Sequence, residues 1–187
     1  MRRTALIVID MLVDFFEKVP ELAAQRERLV DGINLLAHNF REIGQPVIWV
    51  RQEFKPDLSD AFLDMRRRQV AVTIAGTEGS QILPELQRDP ADHVIVKKRY
   101  SAFFRTPLDD LLATLDPTTL VIAGVNTHAC IRTTAIDAYQ RDFDVAIATE
   151  CVGSYDAGHH AMTLGYIDGR IARLRTNAEL IQELAPA

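Results

Sequence analysis

Ala5-Leu6-Ile7-Val8-Ile9-Asp10 is an unbroken apolar run, three of its residues β-branched, closed by a carboxylate. A run without polar alternation suits a strand buried on both faces, and such strands belong to parallel sheets covered by helices on each side. Working outward, Pro46–Val50, Val94–Val96, Leu120–Ala123, Val145–Ala148 and Ile171–Leu174 read as five further strands. Helical signals fill the spaces between them. Leu22, Leu29, Ile33, Leu36, Phe40 and Ile43 recur at three-, four- and seven-residue spacings and predict an amphipathic helix ending near Gly44. Thr106-Pro107-Leu108-Asp109 opens another, with a cap, a proline at the first helical position and an acid in the first turn. Further helices are expected from about His128 to Arg141 and from Ala157 to Ile167, and Thr176 with Glu179 forms a capping box for the last. Strands alternating with helices imply right-handed crossovers. The expected fold is α/β: a three-layer sandwich whose six-stranded, mostly parallel sheet carries helices on both faces, with Rossmann-like topology.

With 187 residues the chain supports one sizeable core, so residues 1–187 read as a single domain. A formal charge of −5 leaves no basic footprint for nucleic acid. The N-terminal apolar run is too short to span a membrane or to act as a leader, and two cysteines make no disulfide framework, which together point to the reducing cytoplasm. One stretch breaks the alternation. Phe54 to Gly79 is polar and irregular, with basic Arg66 to Arg68. It reads as a surface excursion with a short helix, or alternatively as a lid or an oligomer contact.

Ligands of open parallel sheets bind outside the carboxyl ends of the strands. Three reactive residues sit there: Asp10, Lys97 and, after a strand-to-helix turn, Cys130. A thiol near a helix N-terminus gains from the macrodipole and from unpaired N–H groups, which favour thiolate and can receive a developing oxyanion. A partly desolvated carboxylate can take the thiol proton and return it to a leaving amine. An ammonium beside both balances the carboxylate and favours thiolate. Taken one at a time, each also has a structural reading: a packed core cysteine, a turn-capping aspartate, a solvated strand-end lysine.

The residues around these three positions resemble the isochorismatase-like cysteine hydrolases, a family that includes nicotinamidases, N-carbamoylsarcosine amidase and related amide and ureide hydrolases. The resemblance runs from Ile7 to the last helix. It rests on Val8-Ile9-Asp10-Met11 with Asp14-Phe15, on Lys97 with Arg99-Tyr100-Ser101-Ala102-Phe103 and Thr106, and on Gly124-Val125-Asn126-Thr127 with Cys130, Thr133-Thr134-Ala135 and Asp137-Ala138. It implies Asp10 as general base and acid, Lys97 as third member and Cys130 as nucleophile. It also implies a cis peptide between Val125 and Asn126, and an oxyanion hole from the N–H groups of Asn126 and Cys130. The implied reaction is hydrolysis of a small amide, carbamoyl or ureido compound through a thioester. Dimers or tetramers are the implied assembly, with a small molecule as the only other partner.

Departures from the family pattern narrow this. Leu12 and Val13 stand where many members carry amides. Gln52-Glu53-Phe54 replaces the Asp-x-His metal site of nicotinamidases, so no metal and no other cofactor is expected. The isochorismatase branch proper cleaves a vinyl ether with water and lacks the nucleophilic cysteine, so Cys130 favours C–N hydrolysis. Vinyl ether hydrolysis and a catalytically silent oligomeric binding protein of the same fold are the alternatives.

Phe15, Arg99, Tyr100, Phe103 and Thr127 are candidates for the substrate pocket, with Arg99, Arg105 and Arg132 as possible carboxylate anchors. Trp49 reads as core. His128, two residues before Cys130, points elsewhere on a helix and suits the pocket edge; adjacent His159 and His160 cannot face one site together. Cys151 reads as a packed thiol, or one at a subunit contact.

Overall fold

The computed structural model describes residues 3–184. Six strands form one sheet: β1 (Thr4–Ile9), β2 (Val47–Gln52), β3 (His93–Lys97), β4 (Thr119–Val125), β5 (Asp144–Gly153) and β6 (Arg173–Arg175). Their order is β3-β2-β1-β4-β5-β6, and every neighbouring pair is parallel. β1 lies at the centre with all six residues buried, as its apolar run requires.

Successive side chains of β1 point to opposite faces, and each face meets its own layer. Leu6 and Val8 pack on one side against α3 (Arg26–Glu42) and α8 (Asn177–Leu184), through Leu29, Ile33, Leu36, Phe40 and Leu180. Ala5, Ile7 and Ile9 pack on the other against α5 (Leu108–Leu115), α6 (Arg132–Tyr139) and α7 (Ala157–Ile167), through Leu108, Leu112, Ala135, Ala138 and Ile167. Each fully buried aliphatic side chain contributes on the order of 1.5–3 kcal/mol, so this two-sided burial fixes the sheet register.

Differences from the sequence expectation fall at element ends. The first long helix is preceded by a separate turn, α2 (Pro20–Ala23), and Gln25 between them donates from Nε2 to Glu21 O and Ser154 O at 2.7 and 2.8 Å. α5 begins at Leu108, so Pro107 is the cap residue rather than the first helical one, and Thr106 Oγ1 accepts from Leu108 N at 3.3 Å. β6 starts two residues late, since Ala172 N still closes α7 onto Ile167 O at 3.0 Å. The capping box forms: Thr176 N donates to Glu179 Oε2 at 2.8 Å and Glu179 N to Thr176 Oγ1 at 3.3 Å.

The excursion after β2 has a small core of its own. Phe54, Leu58 and Ala61 are buried beneath Phe62, Met65 and Ile74, with α4 (Leu63–Arg68) on top and its three arginines exposed. It is tied down by Asp14 of α1 (Val13–Lys18), whose buried Oδ2 accepts from Thr73 N at 2.7 Å while Oδ1 pairs with Lys18 at 2.7 Å. Gly79 lies directly over that carboxylate; a Cβ there would stand 2.3 Å from it.

Candidate functional site

Asp10 leaves β1 in the left-handed region, φ 56°, after its N–H has paired with Val50 O at 2.8 Å. Asp tolerates this conformation better than most residues, at a cost of order 1 kcal/mol. The turn swings the carboxylate across the end of β2, where Oδ1 accepts from Gln52 N at 2.8 Å. Register does the rest. Lys97 is the partner of Gln52 in the β2–β3 pair, so its side chain arises at the same edge of the sheet. Its Nζ lies 2.6 Å from Asp10 Oδ2 and 3.3 Å from Cys130 Sγ, and donates to Arg99 O at 3.1 Å. Asp10 and Lys97 are fully buried, and Cys130 is 6% exposed.

Cys130 is delivered from the other side by β4. That strand closes on β1 so tightly that a Cβ on Gly124, whose φ is 111°, would meet Ile9 O at 2.0 Å. The Val125–Asn126 peptide that follows is cis. The chain then makes a wide π turn, Thr127–Ile131, before α6, rather than the single α-helix expected from His128.

Burial works against the Lys97 charge, but Asp10 and Cys130 outweigh it, and its pKa stands above the usual lysine value. The Cys130 thiol is pushed up to about 12 by burial, with Lys97 pulling it down and Asp10 favouring the protonated form. Lys97 favours the thiolate, as expected from the sequence, but burial outweighs it. Removal from water costs more than the ammonium returns, so the resting site pairs carboxylate with ammonium beside a neutral thiol.

Cys130 lines a cavity of about 980 Å³, with Lys97 and Asp10 fully buried behind it. Asn126, Ala129 and Thr133 surround Cys130, Gln52 lies beside Asp10, and the wall is mostly apolar: Phe15, Phe62, Leu63, Met65, Val70, Val72 and Tyr100. Phe15 and Tyr100 are therefore where the sequence put them. Three pocket candidates are not. Phe103 is buried in the core among the α5 and α6 side chains with the Arg141 guanidinium 4.3 Å from its ring centre. Arg99 braces the excursion, donating to Asp60 O at 2.9 Å and stacking on Phe62 at 5.0 Å. Thr127 is fully buried, donates to Gly153 O at 2.9 Å and contacts His160 Nδ1 at 2.9 Å. Of the three candidate anchors, Arg105 lies over Phe104 and only Arg132 lines the cavity. His128 is at the edge, bonded to Ser154 Oγ at 2.7 Å and Tyr155 OH at 3.3 Å, with burial foremost and then His159 lowering its pKa. His159 pairs instead with Asp156, at 2.7 Å. Cys151 is buried against Asn177 Oδ1 at 3.1 Å, and Trp49 is buried with its Nε1 on Asp92. No three His, Cys, Asp or Glu side chains among the described residues group as metal ligands.

The isochorismatase domain model matches residues 4–179. The chain belongs to the isochorismatase family. It is 34% identical to a probable inactive nicotinamidase of Arabidopsis thaliana, covering 98% of this chain and 97% of that one. It is 29% identical to maleamate amidohydrolase of Pseudomonas putida, over 98% and 87%. Enterobactin synthase component B of Escherichia coli is 30% identical over the whole of this chain, which spans 65% of that protein's length. Among solved structures, an isochorismatase family protein of Desulfovibrio vulgaris superposes with a TM-score of 0.88 at 30% identity, covering both chains completely.

Sequence reasoning missed two contributors to this family site. Gln52 was weighed only as an absent metal ligand, yet it is buried on the cavity wall and its N–H fixes Asp10. Its signal was position: it closes β2 as Asp10 closes β1. Phe62, Leu63, Met65, Val70 and Val72 were left inside an excursion read as surface, and a run of apolar residues at irregular spacing beside exposed arginines gave no local sign of a wall.

Proposed function

We propose that this chain hydrolyses a non-peptide C–N bond of a small amide, carbamoyl or ureido compound, with Cys130 as nucleophile. The observation that carries this reading is the contact chain Cys130 Sγ to Lys97 Nζ to Asp10 Oδ2, at 3.3 and 2.6 Å, which meets the cavity at Cys130. The neutral thiol passes its proton to Asp10 as Sγ attacks the carbonyl carbon. The C–N bond then breaks, and the proton on Asp10 goes to the departing nitrogen, giving ammonia or an amine and a thioester on Cys130. Water, deprotonated by Asp10, adds to the thioester; the C–S bond breaks, the acid leaves, and the proton on Asp10 returns to Sγ to restore the neutral thiol. Lys97 remains charged throughout and keeps the carboxylate from being left as a lone buried anion while the thiolate develops. Backbone N–H groups of Asn126 and Cys130 are the proposed receivers of the carbonyl oxygen's charge.

A silent binding protein would require Asp10 or Lys97 to turn away from Cys130, whereas Lys97 touches both. The test is a panel of small amides, carbamoyl compounds and ureides, incubated with wild type and Cys130→Ala in the presence of chelator. Ammonia release that Cys130→Ala loses, with a transient acyl mass on the wild-type protein, supports the reading. Turnover that survives Cys130→Ala refutes it, as does no turnover together with a Cys130 inert to iodoacetamide. Survival on a vinyl ether substrate would place the chain with the water-attacking branch.

A further inference from the structure

The cavity wall contains one charge with nothing to balance it. Arg132, the first residue of α6, lines the cavity two residues beyond Cys130. Among the described residues its guanidinium has no carboxylate and no hydrogen-bond acceptor; its one partner is the Tyr166 ring, 5.0 Å from the guanidinium carbon. Every other full charge at the cavity is matched. Asp64 pairs with Arg68 at 3.1 Å, and Asp10 pairs with Lys97 at 2.6 Å. The His128 imidazole is held toward its neutral form by burial and by His159. The chain as a whole is acidic, with a formal charge of −5, so acidic groups to pair with an arginine are plentiful elsewhere on it. Arg41, Arg141, Arg173 and Arg175 all have carboxylate partners.

We infer that Arg132 is a specificity residue that binds a carboxylate of the substrate; the inference rests on the Cys130 reading above. A guanidinium held by an aromatic face keeps its N–H edge free and offers a planar fork that suits a carboxylate. One uncompensated positive charge balances one negative charge, so a monoanionic carboxylate fits where a doubly charged phosphate would leave a charge over. Phe15, Phe62, Met65, Val70 and Val72 give the wall a broad apolar face, while Gln52, Asn126 and Thr133 are polar groups on the same lining. The substrate class is then an amide, carbamoyl or ureido compound with an apolar frame and a carboxylate at the far end from the scissile carbonyl.

The experiment needs no knowledge of the natural substrate. N-iodoacetyl derivatives of glycine, β-alanine and γ-aminobutyrate all alkylate Sγ with the same iodoacetamide group, S–C forming as C–I breaks, while presenting a carboxylate at increasing distance. Each is compared with its methyl ester on wild type, Arg132→Gln and Arg132→Lys, with modification of Cys130 followed by intact mass. The acid-to-ester rate ratio cancels the thiolate fraction, which is common to both reagents. A charge-assisted contact predicts that this ratio, at the best-fitting length, falls roughly 10- to 100-fold in Arg132→Gln. Arg132→Lys is expected to recover part of it, because the charge returns without the fork. The same ratio in wild type and Arg132→Gln at every length overturns the anchor and leaves the nucleophile standing. Failure of every reagent to modify Cys130 overturns the nucleophile reading and the anchor with it.

Discussion

Replacing Lys97 with methionine tests the energetics of the site independently of any substrate. Lys97 and Asp10 are both fully buried with their charged atoms 2.6 Å apart. With an effective dielectric of about 20, Coulomb's law gives about 6 kcal/mol of gross attraction at that distance. Desolvation of the two ions takes several kcal/mol back from each, so the intact pair adds little net stability. Removing one partner is a different matter. Methionine fills the volume but abandons a buried carboxylate, and the expected loss is about 3–5 kcal/mol. With a urea slope of about 2 kcal/mol/M, the unfolding midpoint drops by about 2 M. The matching double variant, Asp10→Asn with Lys97→Met, removes both charges and keeps an acceptor for Gln52 N, so most of the lost stability returns. Urea unfolding of the four proteins, followed by far-UV circular dichroism at neutral pH, gives the coupling directly. A Lys97→Met variant within about 1 kcal/mol of wild type would refute the reasoning. So would a double variant whose loss equals the sum of the single losses.

Three further outcomes follow from the geometry. Both thiols stand at about 12, against roughly 8.5 in an unfolded chain, so the unfolded state ionises first as pH rises. The stability they confer is complete below about pH 8.5 and is lost toward pH 12; the urea midpoint should fall across that window, less steeply in Cys130→Ala, and a midpoint flat from pH 8 to 11 contradicts the burial argument. In the absence of substrate, Cys130 alkylation by iodoacetamide should rise about tenfold per pH unit between pH 8 and 10 without a plateau, whereas a plateau near neutrality would mean a resting thiolate. Gly124→Ala places a Cβ 2.0 Å from Ile9 O at a φ of 111°, so at least about 3 kcal/mol should be lost; thermal unfolding at the wild-type temperature would show that β1 and β4 do not approach as described.

The candidate trio was legible in the sequence because each member depends on local pattern alone. Asp10 and Lys97 each follow an apolar run, and a parallel sheet brings such strand ends to one edge whatever lies between them. Cys130 follows a strand and a glycine that only a close strand–strand approach demands. The protonation state was not legible, since thiolate stabilisation by a helix end and a lysine can be read from spacing but the competing burial cannot. Phe103 and Thr127 were misassigned for a related reason: their neighbours along the chain line the site, and whether each turns outward or inward is set by packing against Arg141, Gly153 and His160.

The wall of the cavity belongs to a different kind of information. Phe62, Met65, Val70 and Val72 reach Cys130 only because the excursion is folded back, and a main tie is the Thr73 N–H on Asp14, residues 59 apart in the chain. Nothing in the local pattern of 54–79 announces that contact. The same separation has a functional consequence. The candidate trio sits at strand ends held by a sheet that buries β1 completely, and the excursion touches it through Arg99, which accepts from Lys97 and donates to Asp60 O. On the proposed reading the excursion shapes the substrate frame and Arg132, which lines the same cavity, selects its charge. On that reading, exchanging apolar wall residues alters which frame fits while Asp10, Lys97 and Cys130 stay in place.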